Sequence, residues 1–282
     1  MKTKFVFLIL LFLILASCDS KTDADVTSAP LAEETKLNVS YGTNNQQVFD
    51  LYLPANRSKT TTKTLILVHG GGWIGGDKND MNNIVNIIKQ NLPKYAIANI
   101  NYRLATQGNY AFPMQINDVN AVFLALKNGN FAISDNFGFI GVSAGGHLSL
   151  LQSYTNNTDN SINMVASIVG PTNFKDSNYI NNPAWIANYL ALTGVNFNDN
   201  PIYFEQLSPL YKANPTSPAT ILLYGNADPL VPTTQGQDLH EKLNLLGVYN
   251  EFKLYNGGHG NWTAQDQLDA YTSLVNFIKL KL

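Results

Sequence analysis

The chain has 282 residues, of which 45% are hydrophobic and only 13% are charged. This length fits a single α/β domain with a large buried core. The formal net charge is −2, and no stretch concentrates lysine and arginine, so the sequence argues against a nucleic-acid partner. Charge thus excludes one class of partner but does not identify a substrate.

The first segment is typical of a secretory leader. Lys2 and Lys4 provide a positive start, and an apolar run of 12 residues, 5–16, follows them. Such a run is too short to span a hydrocarbon layer about 30 Å thick, but it has the length of a signal-peptide core. We therefore assign residues 1–17 to a signal peptide and expect the mature protein to be extracytoplasmic.

The leader ends in Leu-Ala-Ser-Cys, which resembles the lipobox of bacterial lipoproteins. The resemblance implies that Cys18 becomes the first mature residue and carries acyl chains that anchor the protein to a membrane, facing the periplasm or the cell surface. The alternative is an ordinary thiol after a conventional leader. Cys18 is the only cysteine, so it has no disulfide partner within the chain. Residues 18–36 are small and polar, which predicts a flexible tether to a domain over 37–282.

Strand and helix patterns alternate through that domain. Short continuous apolar runs are typical of strands buried on both faces of a parallel sheet, and apolar residues at helical spacing separate them. The alternation predicts an α/β fold with a mostly parallel, eight-stranded, doubly wound sheet and helices on both faces. We predict strands at 37–41, 47–53, 64–68, 95–101, 137–141, 165–169, 219–224 and 251–255, and helices at 81–90, 116–127, 147–154, 233–246 and 263–280.

Between the strands at 165–169 and 219–224 the pattern becomes irregular. Five prolines fall within 172–218 and interrupt short helical pieces near 185–192 and 201–207. We interpret this region as a small cap-like insertion over the active site rather than as a second domain. Its aromatic residues are candidate walls of a substrate pocket: Tyr179, Trp185 and Tyr189.

A candidate nucleophile, Ser143, lies in Gly-Val-Ser-Ala-Gly-Gly between a predicted strand and a predicted helix. A serine hydroxyl must lose its proton as it attacks. A nucleophile on a sharp strand-to-helix turn needs small residues on both sides, which the flanking glycines supply. The same string occurs by chance in many proteins, but the strand before it and the helix after it favour Ser143 as the nucleophile.

His259 is the candidate general base. It lies in Gly-Gly-His-Gly after an apolar strand, where little surrounds a side chain and a core role is unfavourable. The competing histidines fit structural roles better. His69 belongs to a glycine-rich loop, His147 lies four residues beyond Ser143 on the same helix, and His240 lies on a predicted amphipathic helix.

Asp228 follows the strand that precedes the His259 strand. A carboxylate at this position would fix the tautomer of the imidazole and stabilise its charged form. Asp228 also precedes a proline, a pair well suited to a turn, and the two roles are compatible. The chain order serine, acid, histidine is the order of the α/β-hydrolases.

Three consecutive glycines follow the buried strand at 64–68. A glycine-rich loop lets backbone N–H groups approach a ligand closely, as stabilisation of a tetrahedral oxyanion requires. We predict that Gly71 and Gly72 donate to the oxyanion together with the N–H of Ala144, the residue after the nucleophile. The alternative is a flexible turn without a catalytic role.

These segments together resemble the hormone-sensitive-lipase-like and feruloyl/acetyl-esterase-like (BD-FAE-like) branch of the α/β-hydrolases, over roughly residues 37–280. The resemblance implies a carboxylic-ester hydrolase with the triad Ser143, Asp228 and His259, an oxyanion hole, and no metal or other cofactor. The segments that carry it are His-Gly-Gly-Gly-Trp (69–73), Asn-Tyr-Arg-Leu-Ala (101–105), Phe-Pro-Met-Gln-Ile-Asn-Asp-Val (112–119), Gly-Val-Ser-Ala-Gly-Gly-His (141–147) and Gly-Asn-Ala-Asp-Pro-Leu-Val-Pro (225–232).

Two positions depart from the pattern of these enzymes. Thr106 replaces the usual proline, a departure expected to change only a loop. Val142 replaces the aspartate of lipase-like members, which together with Trp73 and His147 favours the esterase branch. The position of Arg103 and Asp118 within the resemblance implies an ion pair that braces the loops beneath the site.

The expected substrate is a small-molecule ester, with acetyl or feruloyl esters of carbohydrate as examples. A prolyl-oligopeptidase-like peptidase shares the Gly-x-Ser-x-Gly-Gly turn, but such enzymes usually carry a large partner domain. A catalytically silent hydrolase fold used by a lipoprotein for binding is the third alternative, since fold does not guarantee function. The sequence leaves the oligomeric state open.

Overall fold

The computed structural model describes residues 30–282. The predicted signal peptide, Cys18 and residues 18–29 of the predicted tether lie outside the described residues. The core is one eight-stranded sheet with the strand order β1-β2-β4-β3-β5-β6-β7-β8. Its strands are β1 (Glu34–Ser40), β2 (Val48–Leu53), β3 (Thr64–Val68), β4 (Ala96–Ile100), β5 (Phe137–Val142), β6 (Ile162–Ile168), β7 (Ala219–Gly225) and β8 (Asn250–Tyr255).

Strands β3 to β8 pair in parallel, whereas β1 with β2 and β2 with β4 pair antiparallel. The expected eight-stranded, mostly parallel sheet is therefore confirmed. All five residues of β3 are buried, because helices cover both faces of the sheet. The carboxyl ends of the parallel strands meet along one edge of the sheet, where α/β proteins place their ligands.

Helices cover both faces of the sheet. The α-helices of the described residues are α1 (Asn82–Asn91), α2 (Met114–Asn128), α3 (Ala144–Thr155), α4 (Ser177–Ile180), α5 (Pro183–Thr193), α6 (Pro201–Gln206), α7 (Pro209–Lys212), α8 (Thr234–Leu245) and α9 (Ala264–Lys281). Alternate residues of β3 point to opposite faces: Ile66 packs in the core beneath α2, α3 and α8, and Leu65 in the core beneath α1 and α9. Among residues 30–282, no helix combines the length and apolar character needed to cross a membrane.

The domain begins earlier than the sequence predicted. Residues 34–36, assigned to the tether over 18–36, are the first part of β1 and pair with residues 51–53 of β2. The strand lies at the edge of the sheet, and most of its residues are exposed or half-buried. The sequence therefore lacked the apolar alternation that marks a half-buried strand.

The cap-like insertion contains α4 to α7. Prolines were expected to interrupt its helical pieces, but Pro183, Pro201 and Pro209 begin α5, α6 and α7 instead. The first turn of a helix tolerates proline because its missing N–H has no intrahelical partner there. Aromatic packing holds the cap together: the ring centroid of Tyr189 lies 5.0 Å from that of Phe204 and 5.2 Å from that of Phe174.

Candidate active site

Ser143 lies on the turn between β5 and α3, at the carboxyl edge of the sheet. Its φ is +54° and its ψ −121°, a conformation that L-residues adopt only under strain. The N–H of Ser143 donates to the Ile168 carbonyl at 2.8 Å, which ties the turn to the neighbouring strand. A Cβ at Gly141 would overlap the backbone of Gly145, and one at Gly145 would overlap that of Val68. The glycines that flank Ser143 are therefore a steric requirement of this turn.

The structure brings Ser143, His259 and Asp228 together from three strands. The Nε2 atom of His259 lies 2.8 Å from Oγ of Ser143, and its Nδ1 atom lies 2.6 Å from Oδ2 of Asp228. The three residues follow β5, β7 and β8, whose carboxyl ends lie at the same edge of the sheet. The imidazole thus bridges a hydroxyl and a carboxylate that are 85 residues apart in the chain.

The two carboxylate oxygens of Asp228 have different hydrogen-bond partners. One accepts from the N–H groups of Leu230 at 2.8 Å and Val231 at 3.0 Å, and the other faces His259. Partial burial opposes ionisation, but the hydrogen bonds with His259, Val231 and Leu230 outweigh it and hold the pKa of Asp228 below its usual range. The turn role and the imidazole-facing role are therefore both present, and the group stays ionised near neutral pH.

The glycine-rich loop, residues 69–76, lies beside Ser143. The φ angles of Gly71, Gly72 and Trp73 are +109°, +58° and +65°, so three successive residues occupy the positive-φ region, which disfavours residues with a side chain. Within the described chain, the N–H groups of Gly71, Gly72 and Ala144 donate no hydrogen bond. Ala144 is the first residue of α3, where an N–H has no intrahelical acceptor. Gly71, Gly72 and Ser143 line one cavity.

The other three histidines have structural partners, and within residues 30–282 none of their imidazole rings forms a hydrogen bond with the Ser143 hydroxyl. His69 stacks on Tyr102 with ring centroids 4.3 Å apart. His147 is fully buried; its Nε2 donates to the Leu207 carbonyl at 2.7 Å. Burial lowers the pKa of His147 to about 4, so the ring is neutral at pH 7. His240 contacts Asn250.

A cavity of about 800 Å³ opens above Ser143. The glycine-rich loop forms one wall, α5 of the cap a second, and the segment after Asp228 a third. Its charged or titratable lining residues are Asp80 and His259, and no lysine or arginine lines it. The side chains that form its walls are Trp73, Ile74, Asp80, Met81, Val142, Asn182, Ala184, Trp185, Asn188, Ala191, Leu192, Pro229, Leu230 and Val231, together with Pro171 at the base of the cap.

Only one of the three predicted aromatic walls lines this cavity. Trp185 does so, but Tyr179 and Tyr189 are each 1% exposed and pack beneath it in the aromatic core of the cap. The expectation for these two tyrosines was wrong because the sequence does not reveal which face of a short helix meets the domain. Asp80, Ile74 and the cap asparagines Asn182 and Asn188 were not predicted, because no sequence motif marks these positions as cavity walls.

The loops beneath the site are braced as the sequence suggested. Nη2 of Arg103 lies 2.6 Å from Oδ1 of Asp118, and the backbone N–H of Arg103 donates to the other carboxylate oxygen, Oδ2, at 2.9 Å. Asp118 is 1% exposed and also accepts from Gln47. Within residues 30–282, no three His, Cys, Asp or Glu side chains are grouped as a metal site would require.

The BD-FAE family model matches residues 49–243. The chain belongs to the BD-FAE family. The match covers more than half of the chain and includes Ser143 and Asp228, while His259 lies beyond its end. The family expected from the sequence is therefore confirmed, and the sheet described above gives it the α/β-hydrolase fold.

Known relatives and solved structures agree with this assignment. Esterase LipC of Mycobacterium tuberculosis (strain ATCC 25618 / H37Rv) is 25% identical over 240 residues, which cover 79% of this chain and 59% of the mycobacterial protein. The chain thus spans less than two thirds of that relative. A truncated carbohydrate esterase from gut microbiota has a TM-score of 0.71 at 23% identity, covering 86% of this chain and 96% of that one.

A second solved structure, esterase B from Lactobacillus rhamnosis, has a TM-score of 0.66 at 22% identity. The alignment covers 88% of this chain and 86% of that one. At these identities, the two structures show only that the α/β-hydrolase fold is shared.

Proposed function

We propose that this protein is a serine carboxylic-ester hydrolase. The observation that carries the proposal is the position of the His259 ring, which contacts the Ser143 hydroxyl at 2.8 Å and the Asp228 carboxylate at 2.6 Å. A hydroxyl in contact with an imidazole, which a carboxylate in turn orients, is the arrangement that activates a serine nucleophile. Membership of the BD-FAE family and the likeness to proteins named as esterases support the same reaction.

In the proposed mechanism, Oγ of Ser143 attacks the ester carbonyl carbon while Nε2 of His259 accepts the hydroxyl proton. The carbonyl oxygen becomes an oxyanion, and the uncommitted N–H groups of Gly71, Gly72 and Ala144 donate to it. When the tetrahedral intermediate collapses, the imidazolium gives its proton to the leaving alcohol. Water then hydrolyses the acyl-serine by the same steps, with His259 again acting as base and then as acid.

The cavity supports a neutral ester as substrate. Its volume of about 800 Å³ exceeds what an acetyl group fills, and most of its wall side chains are apolar. The carboxylate of Asp80 would repel an anionic substrate, and no cationic side chain lines the cavity to offset it. Acetyl or feruloyl esters of carbohydrate fit this description, and one structural neighbour is named a carbohydrate esterase.

The test compares hydrolysis of p-nitrophenyl acetate by the wild type with that by Ser143→Ala. We expect the substitution to lower kcat by about 10⁴-fold or more. The matched control is Ser149→Ala, because Ser149 lies on the same helix, is fully buried and has no hydrogen-bond partner within the described residues. Equal rates for Ser143→Ala and the wild type would contradict the proposal.

Two further arms separate the alternatives left open by the sequence. A fluorophosphonate probe should label the wild type and spare Ser143→Ala, whereas a catalytically silent binding protein would not be labelled. Release of aniline from short peptide anilides at a higher kcat/KM than release of alcohol from esters would instead support a peptidase.

We also propose that the protein is an extracytoplasmic lipoprotein anchored through Cys18, on the basis of the apolar run at 5–16 and the Leu-Ala-Ser-Cys segment after it. The test is membrane fractionation and incorporation of radiolabelled palmitate, comparing the wild type with Cys18→Ser. Label in the wild type alone is the expected result. Equal recovery of both proteins from the soluble fraction, without label, would contradict the anchor.

A further inference from the structure

A buried glutamine, Gln115, lies at the start of α2 directly beneath the glycine-rich loop. It is 0% exposed. Its Nε2 atom donates to the carbonyl of Trp73 at 2.6 Å and to the carbonyl of Arg103 at 2.9 Å. Both hydrogens of one amide group therefore join the loop at 69–76 to the segment at 101–105.

The same side chain carries an unusual cost. The Oε1 atom of Gln115 is buried and has no hydrogen-bond partner among the described residues. A buried, unpaired carbonyl oxygen destabilises a fold. The side chain thus combines one destabilising oxygen with two hydrogen bonds that fix the carbonyls of Trp73 and Arg103.

Those hydrogen bonds act on the strained part of the loop. Trp73 has a φ of +65°, a conformation that is strained for a non-glycine residue and persists only where the surroundings enforce it. Three contacts enforce it: the Trp73 carbonyl accepts from Gln115 and from the Ala105 N–H at 2.9 Å, and its indole Nε1 donates to His147 at 3.4 Å.

The anchored carbonyl belongs to Trp73, the residue after the two glycines whose N–H groups are assigned to the oxyanion. Gly71 and Gly72 immediately precede Trp73, so a shift of the Trp73 backbone would be transmitted to the peptide groups of both glycines. Gly71 is anchored separately, because its carbonyl accepts from the N–H of Gly75 at 2.9 Å. With both ends fixed, the direction of the two donors is set before a substrate arrives.

We propose that Gln115 is a positioning residue that holds the N–H groups of Gly71 and Gly72 toward the oxyanion. It touches no substrate atom and acts only through the loop. This inference rests on the proposed esterase function. Because the donors act on charge that develops in the transition state, the loss of Gln115 should lower kcat and leave KM nearly unchanged.

The experiment compares Gln115→Met with Gln152→Met in the full-length chain. Gln152 is a matched control, since it is also 0% exposed and donates through Nε2, but to Asn120 on the far part of α2. We expect Gln115→Met to lower kcat about 10- to 100-fold with KM within about twofold of wild type. Gln152→Met should keep the wild-type kcat when both are assayed well below their melting temperatures.

Hydrogen exchange provides a readout that does not depend on esterase activity. The backbone amides of residues 70–76 should exchange faster in Gln115→Met than in the wild type and in Gln152→Met. Should Gln115→Met not fold, Gln115→Asn replaces it, because its shorter amide cannot reach both carbonyls. Unchanged kcat and unchanged loop exchange in the folded variant would overturn the inference. A wild type without esterase activity would instead contradict the proposed function.

Discussion

Two regions enclose the cavity, and they are built by different means. The floor, formed by the Ser143 turn and the glycine-rich loop, is fixed by backbone geometry: positive φ angles, which Ser143 and Trp73 share with the glycines, and close backbone approaches that a Cβ would block. The cap, residues 172–218, is fixed by side-chain packing, with Tyr189 at its centre in contact with Phe174, Phe197 and Phe204.

Because of this difference, we expect mutations in the floor and mutations in the cap to change different kinetic parameters. A change in the floor moves the groups assigned to bond making, so it should appear in kcat. A change in the cap replaces a wall of the cavity without moving those groups, so it should appear in KM and in the preference among esters. The following predictions test that separation.

The largest effect is expected at the floor, from Asp228→Asn. The carboxamide can still accept from Leu230 and Val231 in the turn, but its NH₂ would face His259 and favour the wrong imidazole tautomer. We expect kcat to fall by about 10⁴-fold with little change in the melting temperature. Steady-state kinetics measures kcat, and thermal unfolding measures the melting temperature. The control is Asp199→Asn, at an exposed position of the cap. A loss of less than tenfold would contradict the role of Asp228.

The second effect concerns the junction of floor and cap, where His147 of α3 donates to Leu207 of the cap. Its pKa is about 4 in the folded protein against an ordinary value of 6.5. The unfolded chain therefore binds the proton first as the pH falls, so stability is full above pH 6.5 and is lost progressively towards pH 4. The contribution lost is about 3 kcal/mol.

Urea unfolding at pH 7 and pH 4 tests this prediction in the wild type and in His147→Gln, which cannot titrate. The variant should be less stable at pH 7 but should lose less free energy of unfolding on acidification. Parallel losses in the two proteins would show that His147 does not carry the acid sensitivity.

A smaller effect is expected from the cap residue Trp185, which lines the cavity. Trp185→Ala removes much of one wall, so KM for esters with a large apolar acyl group should rise about tenfold while kcat stays within about threefold. Tyr211→Ala, an exposed cap position outside this cavity, is the control. A fall in kcat with unchanged KM would break the separation between floor and cap.

The smallest effect is expected from Asp80→Asn. The asparagine oxygen can still accept from the Asp77 N–H, as Asp80 does at 3.0 Å, so the variant removes charge and keeps the turn. The ratio of kcat/KM for 4-nitrophenyl butyrate to that for 4-nitrophenyl hydrogen succinate should fall about threefold to tenfold, and less in high salt. An unchanged ratio would show that Asp80 does not select against anions.

The sequence predicted the floor better than the cap for a physical reason. Ser143, Asp228 and His259 each follow a buried strand within a few residues, so local patterns locate them and the parallel sheet brings them to one edge. Residues outside this strand-end pattern were missed where their contacts lie far apart in the chain. Gln115 acts on Trp73, 42 residues away, and no local pattern marks such a pair.

The bounds of polar elements at the edge of the sheet were also predicted poorly from the sequence. Residues 34–36 belong to β1, although their composition resembles that of the tether before them. In the cap, the burial of Tyr179 and the exposure of Trp185 to the cavity depend on how short helices dock, which a single sequence does not specify. The presence of helices in the cap was predictable, but which face of each helix meets the cavity was not.

The location of His259 has a consequence for heat resistance. The imidazole is carried by the loop after β8, which pairs on one side only, with β7, whereas Ser143 follows a strand with partners on both sides. Margins of a sheet open at a lower free energy than its centre. On warming, we therefore expect turnover to vanish some degrees before the circular dichroism of the central strands and helices changes, so that inactivation would report peripheral melting rather than global denaturation.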